Sequence, residues 1–455
     1  MSRRVIVVGA GMGGLTAALR LKQHGFEVLV LEARESAGGL ASGVHIDGFS
    51  FDAGPYILLD KPGLEWILRE LQLDLPVASD LIPLDPVYEV NFPDGRSLSV
   101  RRSLDETAAS FDASWPGAGE AYRKFVKAML ERHRALRPLL YREPPGILEL
   151  GWQSWMQVPF LLRSLGSVLN AAGLRDPVKE TIAIWTRISG APISEAPAPM
   201  AFVPALFHSE GAYYLRAGIR SIADTLAAEA ARAGIEFRYR TKVKSIYGRN
   251  GRVEGVETEA GERLACKTVL SDAHGIGTYL DLARETPDAA KQKLSRLPLQ
   301  SPGVCAYLAV RRSEKMPYLR FFLPRDGQPC RLFVSPGNLS DGGFAEWQPA
   351  RLLAPGPPEN APGLLEDSRW REGIAEYRVL KTRGPAEWGR EYHLYRDSMN
   401  PVMTASFMRS GRIGHRSPWI RGLYLAGSST HPGQWITFCG ISGILAADCL
   451  RKDMP

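Results

Sequence analysis

"VIVVGAGMGGLTAALRLKQHGFEVLVLEA", residues 5–33, decides the fold. Val5 to Val8 is a β-branched run of the length of one buried strand. It leads into GAGMGG, which sets Gly9, Gly11 and Gly14 in GxGxxG spacing, with Met12 and Gly13 between them, before an expected helix from about Gly13 to His24. Gly25 stops that helix, and EVLVLEA is a second strand ending at Glu32, with Ala33 and Arg34 behind it. Strand, glycine turn, helix, strand and an acidic residue about 20 positions on are the order that a dinucleotide-binding βαβ unit requires. The glycines let backbone approach a pyrophosphate, the helix N-terminus stabilises its charge, and the carboxylate takes a ribose hydroxyl.

Bulk composition sets the wider frame. A chain of 455 residues exceeds one compact core, and 45% hydrophobic residues mark it as globular, so two or three domains are expected. The net charge of +7 is carried by interspersed charges of both signs, and no nucleic-acid reader module surrounds the basic residues, so no nucleic-acid partner is expected. Five cysteines, Cys266, Cys305, Cys330, Cys439 and Cys449, form no CxxC pair and no cluster with histidine; a reduced compartment and no metal site follow. The first strand begins at about Arg4, leaving no room for a cleavable presequence, and no stretch reaches the roughly 20 apolar residues of a spanning helix. A cytoplasmic protein is expected, with peripheral contact to a membrane left open.

The residues after Glu32 choose between cofactors. EARESAGGLASGVHIDGFSFDAGPYIL carries Gly38, Gly39 and Leu40, then Asp52, Gly54 and Pro55, a loop returning beside the first that suits a cofactor longer than one nucleotide. Here "VVGAGMGGLTAALRL…VLVLEARESAGGLASG…FSFDAGP" resembles the amino-terminal FAD signature of the amine-oxidase-like flavoproteins, above all bacterial-type phytoene desaturases and carotenoid isomerases. The family's carboxyl-terminal signature is matched by RGLYLAGSSTHPGQWITFCGISGILAAD, residues 421–448: a strand from Leu423 to Ala426, a turn at Gly427, THPG, and a helix from about Thr437. A middle block, YYLRAGIRSIADTLAAEAARAGIEFRYRTKVKSIYGRNGRVEGVETEAGERLACKTVLSDAH, is similar to the family's second cofactor segment and reads as a glycine turn, an amphipathic helix, a strand and a hairpin about GRNGR.

The resemblance implies an α/β fold with a Rossmann-like FAD-binding domain of the amine oxidase/glutathione-reductase type, discontinuous over residues 1–75, 212–275 and 395–455. An α+β substrate domain, residues 76–211 and 276–394, would be inserted, with GVCAYLAV and LRFFLP as strands of its sheet. It also implies FAD contacts from backbone near Val243 to the adenine, and from Gly427, Gln434, Trp435 and Ile436 to the flavin, whose reduced ring the last helix would stabilise by its N-terminus. Two positions depart from the pattern. Leu40 stands where relatives carry an arginine after two glycines, and Trp435 and Phe438 put bulk where phytoene desaturases have a run rich in glycine and proline.

No second GxGxxG is present for NADPH; HGIGTYL, residues 274–280, lacks a third glycine and is read without a preceding strand. The electrons would then come from the organic substrate. The leading expectation is carotenoid desaturation of a lipophilic polyisoprenoid, with hydride to flavin N5, a new C=C bond and reoxidation by quinone or oxygen. A redox-neutral carotenoid cis-trans isomerase, an amine oxidase and a flavin-free prenyl-binding escort protein stay open beside it. No catalytic base is legible. His431, Arg216 and Trp435 are candidates, with turn-shaping the competing role for His431 and packing that for Arg216, Tyr213 and Tyr214; Asp52 reads as a turn cap.

Two segments suggest surfaces. Tyr122 to Leu136 is a basic amphipathic helix, and GILELGWQSWMQVPFLLRSLGSVL after Pro144 and Pro145 is apolar with few charges; contact with an anionic bilayer and packing on their own domain are both open. LLAPGPPENAPGLLED, residues 352–367, reads as a surface loop.

Overall fold

The computed structural model describes residues 4–74, 80–144, 151–325, 327–339, 346–356, 362–410 and 412–454. The expected domain boundary at 75 and 76, residues 145–150 of the apolar segment and residues 357–361 of the expected loop lie outside them.

The opening stretch forms strand β1 (Arg4–Val8), helix α1 (Met12–Gln23) and strand β2 (Glu27–Leu31). Both strands are buried apart from their first residues, as continuous apolar runs in a covered parallel sheet must be. The sheet has five strands, ordered Leu423–Leu425, Val269–Ser271, β1, β2 and Glu236–Arg238, with every neighbouring pair parallel. Segments from both ends of the chain and its middle therefore meet on one sheet. Val269–Ser271 corrects one expectation: it is a strand directly before 274–280, hydrogen-bonded to β1, and it escaped notice because it is three residues long.

The C-terminal helix (Ile436–Asp453) crosses α1 at unusually close range. The Thr16 hydroxyl donates to the Gly440 carbonyl at 2.8 Å, and a Cβ at Gly443 would lie 2.1 Å from the Gly13 carbonyl oxygen. Only glycine permits that crossing. Strands Val243–Arg249 and Arg252–Thr258 pair antiparallel about Asn250 and Gly251, the expected hairpin, with Arg263–Ala265 alongside.

A second sheet of seven strands runs Ile374–Arg383, Val304–Arg312, Gln348–Ala354, Arg331–Val334, Leu319–Phe322, Tyr88–Asn91 and Ser97–Val100. Both strands expected from GVCAYLAV and LRFFLP belong to it. Residues 352–354, expected in a loop, are the end of a buried strand there, and Leu364 is also buried, so the loop is shorter than its proline and glycine content suggests. Tyr88, Trp185, Phe207 and Phe321 pack edge to face beneath this sheet, with centroids 5.2–5.6 Å apart.

The basic helix forms over Ala118–Leu136 and buries Tyr122, Phe125, Val126, Met129 and Leu136, so its apolar face is spent on its own core. The next short helix, Trp152–Trp155, differs: Trp152 is 78% exposed, Trp155 47% and Met156 55%.

Candidate functional site

The site is built at the C-terminal ends of β1 and β2. Gly9 turns the chain out of β1 at φ +94°, in the left-handed region that favours glycine, and Gly11 becomes the N-cap of α1. That cap has no side chain to occupy the first-turn N–H groups, and no acidic residue lies in the turn. Such a turn presents unpaired N–H donors, and here the Asp272 carboxyl lies over it. Met12, Gly13 and Gly14 are buried, and a Gly14 Cβ would lie 2.1 Å from the Gly9 carbonyl oxygen.

Glu32 directly follows β2 and is buried, with both carboxylate oxygens engaged by backbone: the Ala10 N–H donates at 2.7 Å and the Arg34 N–H at 2.8 Å. Ala33 lies between them. The Arg34 side chain donates to Ser42 Oγ at 3.0 Å and stacks over the Tyr392 ring, 4.2 Å from its centroid. The Gly38 N–H donates to the Ala10 carbonyl at 2.7 Å, and a Cβ at Gly39 would come within 3.3 Å of Gly11 Cα, so the second glycine loop lies on the first. Chain from the middle block arrives at the same place. The Thr241 N–H donates to the Glu32 carbonyl at 2.8 Å, two residues before Val243 opens its strand.

Gly427 follows the Leu423–Leu425 strand at φ +86° and donates its N–H to Ser442 Oγ at 3.0 Å, which fixes the turn to the C-terminal helix. Trp435 is that helix's N-cap, with no side-chain cap and no acidic residue in the first turn. Its ring stacks on Phe438 at 5.1 Å and 15°. Gln434 Nε2 donates to the Pro401 carbonyl at 3.2 Å, and Ile436 is buried as the first helical residue.

His431 Nε2 donates to the Leu139 carbonyl at 2.8 Å, and burial holds its pKa down at about 3, so the ring is neutral. Arg216 is exposed and lines a different cavity, of about 290 Å³, with Asp52, Tyr214 and Arg220; none of the cavity's lining residues comes from the 427–436 turn. Asp52 caps no local turn. It accepts from the Tyr214 hydroxyl at 2.8 Å and the Arg220 N–H at 2.9 Å, tying the FDAGP hairpin to the 213–220 segment.

Four residues were not singled out from the sequence. Arg351, buried in the seven-stranded sheet, donates to the carbonyls of Ala53 at 3.0 Å and Gly54 at 3.3 Å and approaches that of Pro55 at 3.5 Å, clamping FDAGP, while the Leu40 carbonyl lies 2.7 Å from where a Gly54 Cβ would sit. Asp60 caps the Lys61–Glu70 helix and accepts the Thr437 hydroxyl at 2.9 Å. Arg412 donates to the Pro432 carbonyl beside the THPG turn, and burial lowers it to about 10. Asp272, next after the overlooked strand, puts its carboxyl among the glycines.

The family model of flavin-containing amine oxidoreductases matches residues 12–305. A phytoene desaturase of Fusarium fujikuroi is 24% identical over 523 aligned positions, covering 100% of this chain and 90% of that protein. A 4,4'-diapophytoene desaturase of a Methylomonas species is 24% identical over 480 positions, covering 95% of this chain and 92% of its own. An oxidoreductase structure from Methanosarcina mazei superposes with a TM-score of 0.67 at 18% identity, covering 99% of this chain and 100% of that one.

Proposed function

The chain belongs to the flavin-containing amine oxidoreductase family and is an FAD-dependent oxidoreductase; from that premise we propose that it desaturates a lipophilic polyisoprenoid of the carotenoid type. The observation that carries this is the end-to-end similarity to phytoene and diapophytoene desaturases. The residues fit the cofactor. A helix N-terminus whose N-cap is a glycine, beside three glycines without room for Cβ, suits a pyrophosphate, and the buried Glu32 carboxylate suits a ribose hydroxyl.

Gly9, Gly11, Met12, Gly13 and Gly14 would hold the pyrophosphate, Glu32 to Arg34 the ribose, and backbone near Val243 the adenine. Gly38, Gly39 and Leu40, Gly54 and Pro55, and Gly427 with Gln434, Trp435 and Ile436 would enclose the rest. Bound FAD supplies the two-electron acceptance. The chain orients the ring with the first turn of its last helix and keeps water from it with Trp435 and Phe438. The exposed Trp152, Trp155 and Met156 would rest on a bilayer from which the substrate enters, and a quinone or oxygen would reoxidise the flavin.

The test is anaerobic mixing of the purified protein with phytoene or diapophytoene in liposomes. Bleaching of the oxidised-flavin absorbance, reversed by a quinone and accompanied by a polyene with more double bonds, is expected. A cis-trans product with no reoxidant consumed would replace desaturation by isomerisation, and hydrogen peroxide from an amine, with polyenes inert, by amine oxidation.

A further inference from the structure

The N–H of Asp272 donates to the Val8 carbonyl at 2.8 Å, which carries this residue over the turn between β1 and α1. Its carboxyl is enclosed by backbone that lacks side chains. A Cβ built at Gly11 would lie 2.5 Å from Oδ2, at Gly13 or Gly427 2.4 Å from Oδ1, and at Gly14 3.2 Å from Oδ2. The N–H groups of Gly11 and Gly14 face it and favour its charged form. An anionic side chain thus engages the same glycine nest that a dinucleotide pyrophosphate uses.

The titratable groups around it offer no compensation. Glu32, at the end of β2, is itself a carboxylate, and Cys439, on the C-terminal helix, is a thiol that burial keeps protonated. His274, two residues on, accepts the Gly277 N–H through Nδ1 and is held neutral by burial, at about 4. Among the described residues no lysine or arginine forms an ion pair with Asp272. Burial pushes its carboxyl up to about 7, Glu32 adds to the rise, and the two glycine N–H groups oppose it.

We propose that flavin loading is coupled to protonation of Asp272: with pyrophosphate in the four-glycine nest the carboxyl is held neutral, so the loaded protein keeps a proton that the flavin-free protein releases. Two anions sharing one enclosed site raise each other's proton affinity, and the pyrophosphate cannot be neutralised near pH 7 while the carboxyl can. The coupling rests on the FAD reading of the glycine turn and is independent of the substrate.

Equilibrium dialysis of the holoprotein against FAD, from about pH 5.5 to about 8.5, tests it. The wild-type dissociation constant should rise about tenfold per pH unit above about pH 7, the slope of one linked proton. Asp272→Asn keeps the shape and an acceptor for the glycine N–H groups; it should bind FAD with a flat profile and at least about tenfold more tightly than wild type at the alkaline end. A flat wild-type profile, or a D272N profile with the wild-type slope, would overturn the coupling. Should D272N not fold, calorimetry of wild type with FAD in two buffers of different ionisation enthalpy counts the protons at about pH 8: uptake approaching one supports the coupling and zero refutes it. Protein that takes up no FAD at any pH would instead refute the flavin reading itself.

Discussion

The Glu32 carboxylate accepts the N–H of Ala10 at 2.7 Å across 22 residues of sequence, and this one bond locks the glycine turn to the end of β2. With Arg34 donating to the other oxygen at 2.8 Å, the side chain supports both the backbone and the expected ribose contact. A charge-assisted bond of this kind contributes about 1.5–3 kcal/mol. Glu32→Ala should therefore lower unfolding stability by about 3 kcal/mol and raise the FAD dissociation constant at least about tenfold, with Glu32→Gln intermediate in both. Urea unfolding and flavin fluorescence titration check this; unchanged flavin affinity in E32A would remove Glu32 from the site.

Gly443 reaches the same turn from the far end of the chain. A methyl group there would meet the Gly13 carbonyl oxygen at 2.1 Å and Thr16 Oγ1 at 2.2 Å, and the Gly13 contact is backbone that cannot swing aside. Gly443→Ala should force α1 and the last helix apart, costing about 1–3 kcal/mol and some flavin retention, although residue 443 lies outside the expected contacts. Thermal unfolding with and without added FAD reads both effects. A variant with wild-type melting temperature would mean the helices can slide.

What the sequence revealed and what it hid divide along one physical line. Gly9 to Glu32 was legible because its strand, turn, helix and acceptor are contiguous, so local patterning carries the whole argument. Arg351 and Asp272 act across long sequence separations, through pairing of strands whose partners no local pattern names. The segment 352–367 misled because proline and glycine after Ala354 masked a strand that ends only there. Arg216, a candidate for the flavin's far side, lines a cavity with Asp52, Tyr214 and Arg220, partners that include one distant in sequence.

Several buried histidines make the fold acid-sensitive, His133 and His415 among them. Burial holds His133 and His415 each to about 4, and His415 keeps its proton on Nδ1 to reach the Leu425 carbonyl at 3.1 Å. Unfolded, each would take up a proton below about pH 6.5 that the folded chain refuses, so stability is full above that pH and drains as the pH falls toward about 4. Each contributes a slope of about 1.4 kcal/mol per pH unit in that window. Urea unfolding between about pH 7 and about 5 should show it, and His133→Phe, which can retain the edge contact with Phe202, should remove about 1.4 kcal/mol per unit from the slope. Identical slopes for H133F and wild type would mean His133 titrates normally.

Trp435 sits where the last helix begins and stacks on Phe438 at 5.1 Å. As the N-cap it contributes backbone to the first turn and bulk to the space in front of it. Trp435→Gly leaves the backbone donors in place while opening that space. Flavin content should stay within about twofold of wild type, whereas the range of polyenes accepted should widen. Chromatography of products from substrates of different chain length checks this, and an unchanged product profile would place Trp435 away from the substrate.

Trp152, Trp155 and Met156 lie on a firmly seated platform: Arg132 donates to the Gln157 side chain at 2.7 Å and stacks over Phe160 at 5.2 Å, pinning this segment to the helix beneath it. Exposed tryptophans suit a membrane interface, where the indole is half in hydrocarbon and its N–H stays wet. Among the described residues no helix is long and apolar enough to cross a bilayer. Trp152→Ser with Trp155→Ser should weaken co-sedimentation with anionic vesicles at least about tenfold while leaving flavin content unchanged and melting temperature nearly so, since Trp152 is 78% and Trp155 47% exposed. Equal vesicle binding by the double variant and wild type would locate the membrane contact elsewhere, and loss of stability would show that the tryptophans pack within the fold.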